Sequence, residues 1–392
     1  MSAPQHPSEV LHLLQDLISI ESHIQTSGCE ERIGKYLADW FLARGIQAEL
    51  QPVEGTRANV IARIRGGRGP TLMLNGHLDT VPAGNMQDAF VPRLVDNIVW
   101  GRGACDMKGA IAAMACALVD IQQAVQNGEF SMNGDLLFTG TVGEETGSIG
   151  VKAMVDGGVC ADYAIVGEPT SLRVGIAHKG ACFLRITLVG RGAHGSRPNE
   201  GVNAVSYASR LIQTLEGEYK TELSERKHPL LGTPTVSIGR ISGGTQPNIV
   251  AERCFLDIDR RTLPGEGDPV GEVEALVAST LGSVAGLSFR VQEMEETAVV
   301  PHGPLGTQPE ALLAQCAASV CQGLGLSGKP VGVTYWTDGG HLAASGLETV
   351  ILGPGDIANA HGPNDQLPVS ELETATQIYT RIARGMLSES PR

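Results

Sequence analysis

The feature that most restricts the fold of this chain is a series of short apolar runs separated by helical stretches. The runs lie at Asn59–Ile64, Thr71–Leu74, Leu136–Val142 and Tyr163–Val166, and a helical stretch at Gly109–Val125 separates two of them. Runs that are apolar throughout are typical of parallel strands covered on both faces. The sequence therefore predicts an α/β domain with a mainly parallel sheet and helices on both of its faces.

Residues 179–293 show a different pattern, in which the predicted strands alternate apolar and polar positions. The predicted elements are a strand at Cys182–Val189, a helix at Val202–Leu215, strands at Thr235–Ile241 and Ile249–Asp257, a helix at Val270–Leu281 and a strand at Leu287–Val291. This order fits a ferredoxin-like (split βαβ) module.

The α/β pattern resumes after this module. A helix is predicted at Pro309–Leu324, an apolar strand at Thr349–Leu352 and a last helix at Val369–Met386. We therefore predict that residues 1–178 and 294–392 form one α/β domain, which the module at 179–293 interrupts.

Composition and charge restrict the partners. The chain has 392 residues, is 42% hydrophobic and carries a formal net charge of −14, which opposes binding to nucleic acid and to anionic lipid. No apolar stretch reaches about 18 residues, and no basic start precedes an apolar run near the beginning, so we expect a cytoplasmic protein without a membrane partner. The eight cysteines include no C-x-x-C pair, so a metal site is expected to use His, Asp or Glu.

Polar side chains follow the predicted strands of the α/β domain where those strands end. His77, the adjacent Glu144 and Glu145, and Glu168 each come after an apolar run, and His361 lies beyond the strand predicted near residue 350. Each of them alone is more commonly a solvated side chain or a helix cap. Because the carboxyl ends of parallel strands share one edge, we expect these side chains to meet.

Asp106 adds a carboxylate in a glycine-rich segment that opens the helix at Gly109. With His77, Glu145, Glu168 and His361 it supplies two imidazoles and three carboxylates, a donor set compatible with zinc. One bridging carboxylate would leave each of two ions a histidine, a second carboxylate and room for water. Two ions about 3.5–4 Å apart can activate one hydroxide and polarise one carbonyl.

Two further carboxylates are predicted to assist. Asp79 lies two residues beyond His77, so in an extended segment both side chains leave on the same side and the carboxylate can accept the imidazole N–H opposite a metal. Glu144 and Glu145 are adjacent and cannot easily reach one ion together, so one of them is expected to take a proton from the attacking water. The alternatives are a turn-capping aspartate and a pair of solvated glutamates.

Five segments of the chain, in this order, resemble the co-catalytic dizinc amidohydrolases. That family contains acetylornithine deacetylase, succinyl-diaminopimelate desuccinylase, aminoacylase and the glutamate-releasing carboxypeptidases. The resemblance extends over nearly the whole chain, and the matching segments are Asn75–Pro82, Gly101–Gly109, Gly143–Ser148, Gly167–Thr170 and Ala360–Asp365.

The resemblance implies a ligand set for two Zn²⁺ ions per subunit, with Co²⁺ or Mn²⁺ as alternative ions. His77 and Glu168 would bind one ion, Glu145 and His361 would bind the other, and Asp106 would bridge them.

The resemblance also implies roles outside the ligand set. Glu144 would be the general acid and base, and Asp79 would orient His77. Residues 179–293 would form a lid that also makes a homodimer contact. His194 in this module matches the family histidine that reaches the partner's active site and hydrogen-bonds the developing oxyanion.

Substrate-binding residues are implied in three places, and the first two would hold the substrate carboxylate. Arg261, preferred to Arg260, matches an arginine at a strand end, where a guanidinium can clamp a carboxylate with two hydrogen bonds. Asn248 matches an asparagine that touches substrate, and Thr337 and Gly339 lie in a segment similar to the substrate-side loop of the deacetylases. The alternatives are surface salt bridges for the arginines and a turn position for Asn248.

The prediction for function is a metal-dependent hydrolase that cleaves the amide bond of small N-acyl amino acids with a dizinc-activated water. Acetylornithine deacetylase is the first choice, because Val350–Gly355 before His361 is most similar to that branch. Desuccinylase, aminoacylase, and dipeptidase or carboxypeptidase activities of the same family are alternatives.

Two alternatives come from other classes of protein. A non-enzymatic metal-binding protein has no need for a base at Glu144 beside the ligand Glu145. A nicotinamide dehydrogenase is suggested by Gly101 and Gly103 before a helix, but Asp106 replaces the third glycine of that fingerprint and would repel a pyrophosphate.

Overall fold

The structure is a computed structural model that describes residues 8–294 and 302–388. The α-helices of these residues are α1 (Glu9–Ile18), α2 (Glu31–Leu42), α3 (Gly109–Gln126), α4 (Ile149–Asp156), α5 (Ala204–Thr214), α6 (Lys220–Glu225), α7 (Pro269–Leu281), α8 (Leu312–Gly323), α9 (Gly339–Ala344) and α10 (Val369–Leu387).

The strands of the same residues are β1 (Gln47–Glu54), β2 (Arg57–Ile64), β3 (Thr71–His77), β4 (Arg93–Val95), β5 (Ile98–Trp100), β6 (Asp135–Thr141), β7 (Tyr163–Val166), β8 (Gly175–His178), β9 (Gly180–Val189), β10 (Thr235–Gly243), β11 (Arg253–Thr262), β12 (Ser288–Glu293), β13 (Leu305–Gly306), β14 (Val331–Val333), β15 (Glu348–Ile351) and β16 (Gln366–Pro368).

The chain divides into two compact units. Unit 1 comprises Met1–Ala177, Leu305–Val333 and Thr337–Arg392, and unit 2 comprises His178–Pro304 and Thr334–Trp336. The inserted module was predicted to span residues 179–293, whereas unit 2 runs on to Pro304 and includes Thr334–Trp336.

Unit 1 contains a mixed, mostly parallel sheet in the order β1-β2-β6-β3-β7-β15-β8-β13, with β14 beside β8. The central strands β6, β3, β7 and β15 run parallel to one another, and β2 and β8 join this group antiparallel. The predicted fold class is confirmed. The parallel strands are almost wholly buried, which explains why they read as unbroken apolar runs.

Helices cover both faces of this sheet. On one face Phe41 of α2 packs against Phe138 of β6, with ring centroids 5.1 Å apart. On the other face Met154 of α4 and Leu342 of α9 share a buried cluster with Leu137. Consecutive strand residues point to opposite faces of a sheet, so the burial of both Leu137 and Phe138 shows that both faces are covered. The order of the parallel strands and this double cover leave the carboxyl edge of the sheet for functional side chains.

Unit 2 contains an antiparallel sheet in the order β10-β11-β9-β12. Helices α5 and α7 pack on one face, and the buried positions of β9, such as Leu184 and Ile186, alternate with less buried ones. Numbered along the unit, the strands take the order 2-3-1-4, which is the arrangement of a split βαβ module.

The strand predicted at Ile249–Asp257 was misplaced. The strand β11 begins at Arg253 and continues to Thr262. Ile249 is 43% exposed and makes only an isolated bridge to His194, so its apolar side chain does not mark a buried strand position. No helix of the described residues is long and apolar enough to cross a membrane.

Candidate active site

The ends of the parallel strands bring four predicted site residues to one edge of the unit 1 sheet. His77 is the last residue of β3, Glu144 begins a short 3-10 helix soon after β6, and Glu168 lies two residues beyond β7. His361 lies in the segment that follows β15. Their common place follows from the parallel direction of the strands.

Asp106 lies at the centre of this cluster. Its Oδ1 is 3.0 Å from Nε2 of His77, and its Oδ2 is 3.2 Å from Nε2 of His361. Glu168 Oε1 lies 3.7 Å from the same nitrogen of His77, and Glu145 Oε1 lies 2.8 Å from that of His361. The carboxylate of Asp106 therefore faces one histidine with each of its oxygens.

Two groups of candidate metal ligands result, and they share Asp106. One group is His77, Asp106 and Glu168, and the other is Asp106, Glu145 and His361, with the ligand atoms of each group within 4.8 Å of one another. Each group offers one imidazole nitrogen and two carboxylates, which is a suitable donor set for zinc and related divalent ions.

The electrostatics of the cluster also fit a cation. Burial and then the neighbouring Asp106 raise the pKa of Glu168 well above its usual range, and burial raises the pKa of Glu145 as well. Buried carboxylates that repel one another are stabilised when a positive charge lies between them. The residues present therefore fit a pair of divalent metal ions.

The two histidines are strongly held by the carboxylates. Burial lowers the pKa of His77, but hydrogen bonds with Asp106 and Asp79 outweigh it and raise the pKa well above the usual value. Hydrogen bonds with Asp106 and Glu145 raise the pKa of His361 to about 10. His361 differs from the other members because its side chain is 53% exposed.

Asp79 contacts the ring of His77, as predicted, and also binds backbone N–H groups. Its backbone oxygen is 3.0 Å from Nδ1 of His77, whereas its carboxylate Oδ1 is 3.5 Å away. The carboxylate also accepts the backbone N–H groups of Glu144, at 3.1 Å, and Glu145, at 3.0 Å. Asp79 thus fixes both the ring of His77 and the start of the 3-10 helix.

Glu144 lies beside the ligand groups without belonging to either of them. It is buried, and burial raises the pKa of its carboxyl group well above the ordinary value, while the charge of His77 lowers it. A buried glutamate next to a metal-ligand cluster is a suitable general base and acid.

Thr337 and Gly339 are buried in unit 1, where the Gly339 N–H donates to the Thr337 hydroxyl. Asp338, which lies between them, was not predicted as a site residue. Asp338 is buried, its Oδ2 accepts the hydroxyl of Thr141 at 2.8 Å, and burial raises its pKa to about 6. Its position between two predicted substrate-side residues was the available signal, but its hydrogen-bond partner Thr141 is 197 positions away.

His194 and Asn248 lie in exposed turns of unit 2. Nδ1 of His194 is 2.8 Å from the hydroxyl of Ser196, and the backbone oxygen of Asn248 accepts the N–H of Gly195 at 2.7 Å. These contacts hold the two turns against each other and leave the imidazole at the surface of the unit.

The adjacent arginines of β11 have opposite environments. Arg261 is half-buried, its Nε is 2.9 Å from Asp259, and its guanidinium lies over the ring of Phe183. Arg260 is fully buried, and its guanidinium binds the hydroxyl of Tyr219 and the carboxylate of Glu266. The expected role of Arg260 in substrate binding does not fit this environment, because its donors are used inside unit 2.

Curated relatives match most of the chain. It is 32% identical over 361 residues to the acetylornithine deacetylase of Pectobacterium atrosepticum and 30% identical over 370 residues to that of Proteus mirabilis. The first match covers 88% of each chain, and the second covers 91% of this chain and 90% of the relative.

Solved structures share the fold. An aminopeptidase PepT from Bacillus cereus aligns with a TM-score of 0.75 at 22% identity, over 96% of this chain and 98% of that one. An M20 family metallo-carboxypeptidase from Sulfolobus solfataricus aligns with a TM-score of 0.72 at 18% identity, over 96% and 99%.

The match to a peptidase family and the deacetylase relatives, together with the candidate metal-ligand cluster, support a metal-dependent amidohydrolase as the class of the protein. The sequence pattern of Peptidase family M20/M25/M40 matches residues 73–385, and the chain belongs to this family. The predicted family resemblance and the prediction of an amidohydrolase are therefore confirmed.

Proposed function

We propose that this protein hydrolyses the amide bond of N-acyl amino acids with two divalent metal ions, and that N-acetylornithine is its first candidate substrate. The observation that carries the proposal is the pair of ligand groups sharing Asp106, with the buried Glu144 beside them. The similarity to acetylornithine deacetylases over 88% of the chain supports the choice of substrate.

In this proposal His77 and Glu168 hold one ion, Glu145 and His361 hold the other, and Asp106 is shared. Zinc bound there supplies a Lewis acid that polarises the amide carbonyl and lowers the pKa of water. Co²⁺ and Mn²⁺ accept the same donors and are proposed as substitutes.

Glu144 moves the proton. It accepts a proton from the water that attacks the amide carbon, and it returns that proton to the nitrogen of the leaving amine as the C–N bond breaks. Burial raises its pKa, which favours the protonated form that acts as the acid in the second step. The products are a carboxylate and a free amino acid.

The residues of unit 2 are proposed to bind and surround the substrate. Arg261 and Asn248 recognise the substrate carboxylate, and His194 donates a hydrogen bond to the oxyanion that develops on the carbonyl oxygen. In unit 1, Thr337 and Gly339 line the substrate side of the site. Unit 2 serves as a lid and as the contact of a homodimer, through which His194 reaches the site of the partner.

A substrate panel tests the proposal. Metal-reconstituted protein is assayed with N-acetylornithine, N-succinyl-diaminopimelate, several N-acetyl amino acids and a few dipeptides, and released amine is measured. We expect the highest kcat/KM for N-acetylornithine. A higher kcat/KM for another N-acyl amino acid would show that the preferred acyl group or leaving amino acid differs from that of N-acetylornithine. Cleavage of dipeptides alone would overturn the deacylase assignment. Discrimination between substrates that differ by one methylene is worth only about 1–3 kcal/mol, so the relative kcat/KM values within the panel decide the assignment.

A further inference from the structure

We propose that Glu30 and Arg57 form a positioning pair that sets the backbone of residues 142–150, the base loop, and thereby the place of Glu144 in the reaction. This inference rests on the proposed function for the role of Glu144. It assigns a part in catalysis to two residues that touch neither the ligand groups nor Glu144.

The pair is a buried, two-point ion pair. Glu30 lies directly before α2, Arg57 begins β2, and only 1% of Glu30 and 8% of Arg57 are exposed. Arg57 donates from Nε to Oε2 of Glu30 at 2.7 Å and from Nη2 to Oε1 at 2.6 Å. Oε1 accepts a third hydrogen bond, from the backbone N–H of Gly143 at 3.1 Å.

Asn59 of the same strand holds both ends of the base loop. Its Oδ1 accepts the N–H of Val142 at 3.1 Å, and its Nδ2 donates to the backbone oxygen of Gly150 at 2.8 Å. With the contacts of Asp79, four consecutive N–H groups from Val142 to Glu145 are bound by side-chain acceptors. Side chains rather than a regular element therefore determine the course of this backbone.

The close approach requires a glycine. Gly143 has a φ of 73°, and a Cβ at this position would lie 2.7 Å from Nη2 of Arg57 and 2.8 Å from Cγ1 of Ile149. The backbone just before Glu144 is thus seated directly against the guanidinium. A displacement of the pair would move the attachment point of the general base.

Stability alone does not explain a pair of this kind. Burial of two charges costs several kcal/mol of desolvation, and a well-packed apolar replacement is often at least as stable. A small error in the placement of a catalytic group, in contrast, can reduce a rate about 100-fold. The observed geometry, a carboxylate shared between Arg57 and the backbone before Glu144, is what a positioning role requires.

The test compares Glu30→Gln with a control variant at the ends of β2 and β6 that lie away from the base loop. Arg63, in β2, pairs with Asp135, which begins β6, at 3.0 Å, and this pair contacts neither end of the base loop. We expect Glu30→Gln to lower kcat about 10- to 100-fold with KM within threefold and with unchanged metal content. Asp135→Asn should leave kcat within twofold. Equal kcat values for the two variants would overturn the proposal.

Hydrogen exchange provides a readout that needs no substrate. In the metal-free protein we expect Glu30→Gln to speed exchange of the Gly143 amide at least tenfold, and Asp135→Asn to leave it unchanged. Unchanged exchange in Glu30→Gln would contradict the proposal. If the wild type cleaves no substrate of the panel while this exchange still increases, the proposed function fails and the positioning of the loop by the pair stands.

A double variant guards against misfolding. Glu30→Gln with Arg57→Met removes both charges and leaves no buried charge without a partner, so folding is expected to recover relative to Glu30→Gln alone. Because the acceptor geometry is not restored, kcat should stay at least tenfold low. Recovery of kcat together with stability would assign the pair to stability only and would overturn the proposal.

Discussion

The carboxyl edge of the unit 1 sheet and the turns of unit 2 carry candidate residues in very different settings. At the edge, His77, Asp106 and Glu168 are buried, and Nε2 of His77 lies 3.0 Å from Asp106 and 3.7 Å from Glu168. In unit 2, His194 and Asn248 are exposed and are held by contacts with nearby turn residues. A buried charged cluster indicates its chemistry by its own contacts, whereas an exposed residue requires a substrate or partner to define its role.

The largest effect is expected from Asp106→Asn, because Asp106 belongs to both ligand groups. Its loss should abolish binding of both metal ions and reduce hydrolysis to background, as chelation of the wild type should also do. Metal analysis and the rate of amine release measure this. Asp120→Asn, an exposed aspartate of α3, is the matched control and should keep both ions. Two tightly bound ions in Asp106→Asn would contradict a shared ligand.

Glu144→Gln should separate chemistry from metal binding at the same edge. Removal of a general base typically lowers a rate about 10²- to 10⁴-fold, and a fall of this size in kcat is expected with both metal ions retained. Kinetics and metal analysis of the same sample measure it. Activity within tenfold of the wild type would remove Glu144 from the proton transfer.

His194→Ala tests whether an exposed residue of unit 2 takes part in the reaction. Loss of one oxyanion donor is worth about 10²- to 10³-fold, so kcat should fall by about 10²-fold while the metal content is unchanged. Ser196→Ala removes the hydroxyl next to Nδ1 and is the control, with an expected change below fivefold. A kcat equal to that of the wild type would show that His194 takes no part in the reaction and only makes contacts within its turn.

The adjacent arginines of β11 should respond in opposite ways. Arg260→Met removes one partner of a buried ionic network, so the free energy of unfolding should fall by about 3–5 kcal/mol while KM changes little. Arg261→Met should raise KM about tenfold, because a charge-assisted hydrogen bond to the substrate is lost, with little change in stability. Urea unfolding and steady-state kinetics measure both. The reverse pattern would return Arg260 to the substrate site.

The smallest effect concerns acid stability in unit 1. Burial, helped by the charge of Lys152, lowers the pKa of His341 to about 4. Between this value and the unfolded value of about 6.5, only the unfolded chain binds the proton, so stability decreases as the pH falls through this range. Between pH 7 and pH 4.5, the free energy of unfolding should fall by about 1–2 kcal/mol less in His341→Gln than in the wild type, as measured by urea unfolding. If the free energy of unfolding has the same pH dependence in the variant and the wild type, His341 is not responsible for the loss of stability in acid.

The sequence was sufficient for the parallel strands and for the residues at their ends. The bounds predicted for the strand at Tyr163–Val166 match those of the structure, and the helix predicted from Gly109 differs by one residue at its end. These elements are apolar throughout or have clear glycine boundaries, so their local pattern and their buried environment agree.

The parts that the sequence did not predict depend on contacts between distant residues. Glu30 and Arg57 look like ordinary surface charges at the starts of a helix and a strand, and only the folded chain shows that they are buried together. Helix α4 was not predicted, since its eight residues are too short for a periodic pattern to stand out. The bonding of Asp79 to two backbone N–H groups also depends on tertiary structure.

The close approach of Gly143 to Arg57 has a consequence for protein engineering. A side chain at position 143 has no space while the guanidinium of Arg57 occupies its present place. A shorter residue at position 57 would vacate only part of that space, because Ile149 also borders it, and would release the carboxylate of Glu30. Libraries that randomise positions 30, 57 and 143 one at a time should therefore yield few active clones. Joint randomisation is the route by which a directed-evolution campaign could give this enzyme a differently shaped loop.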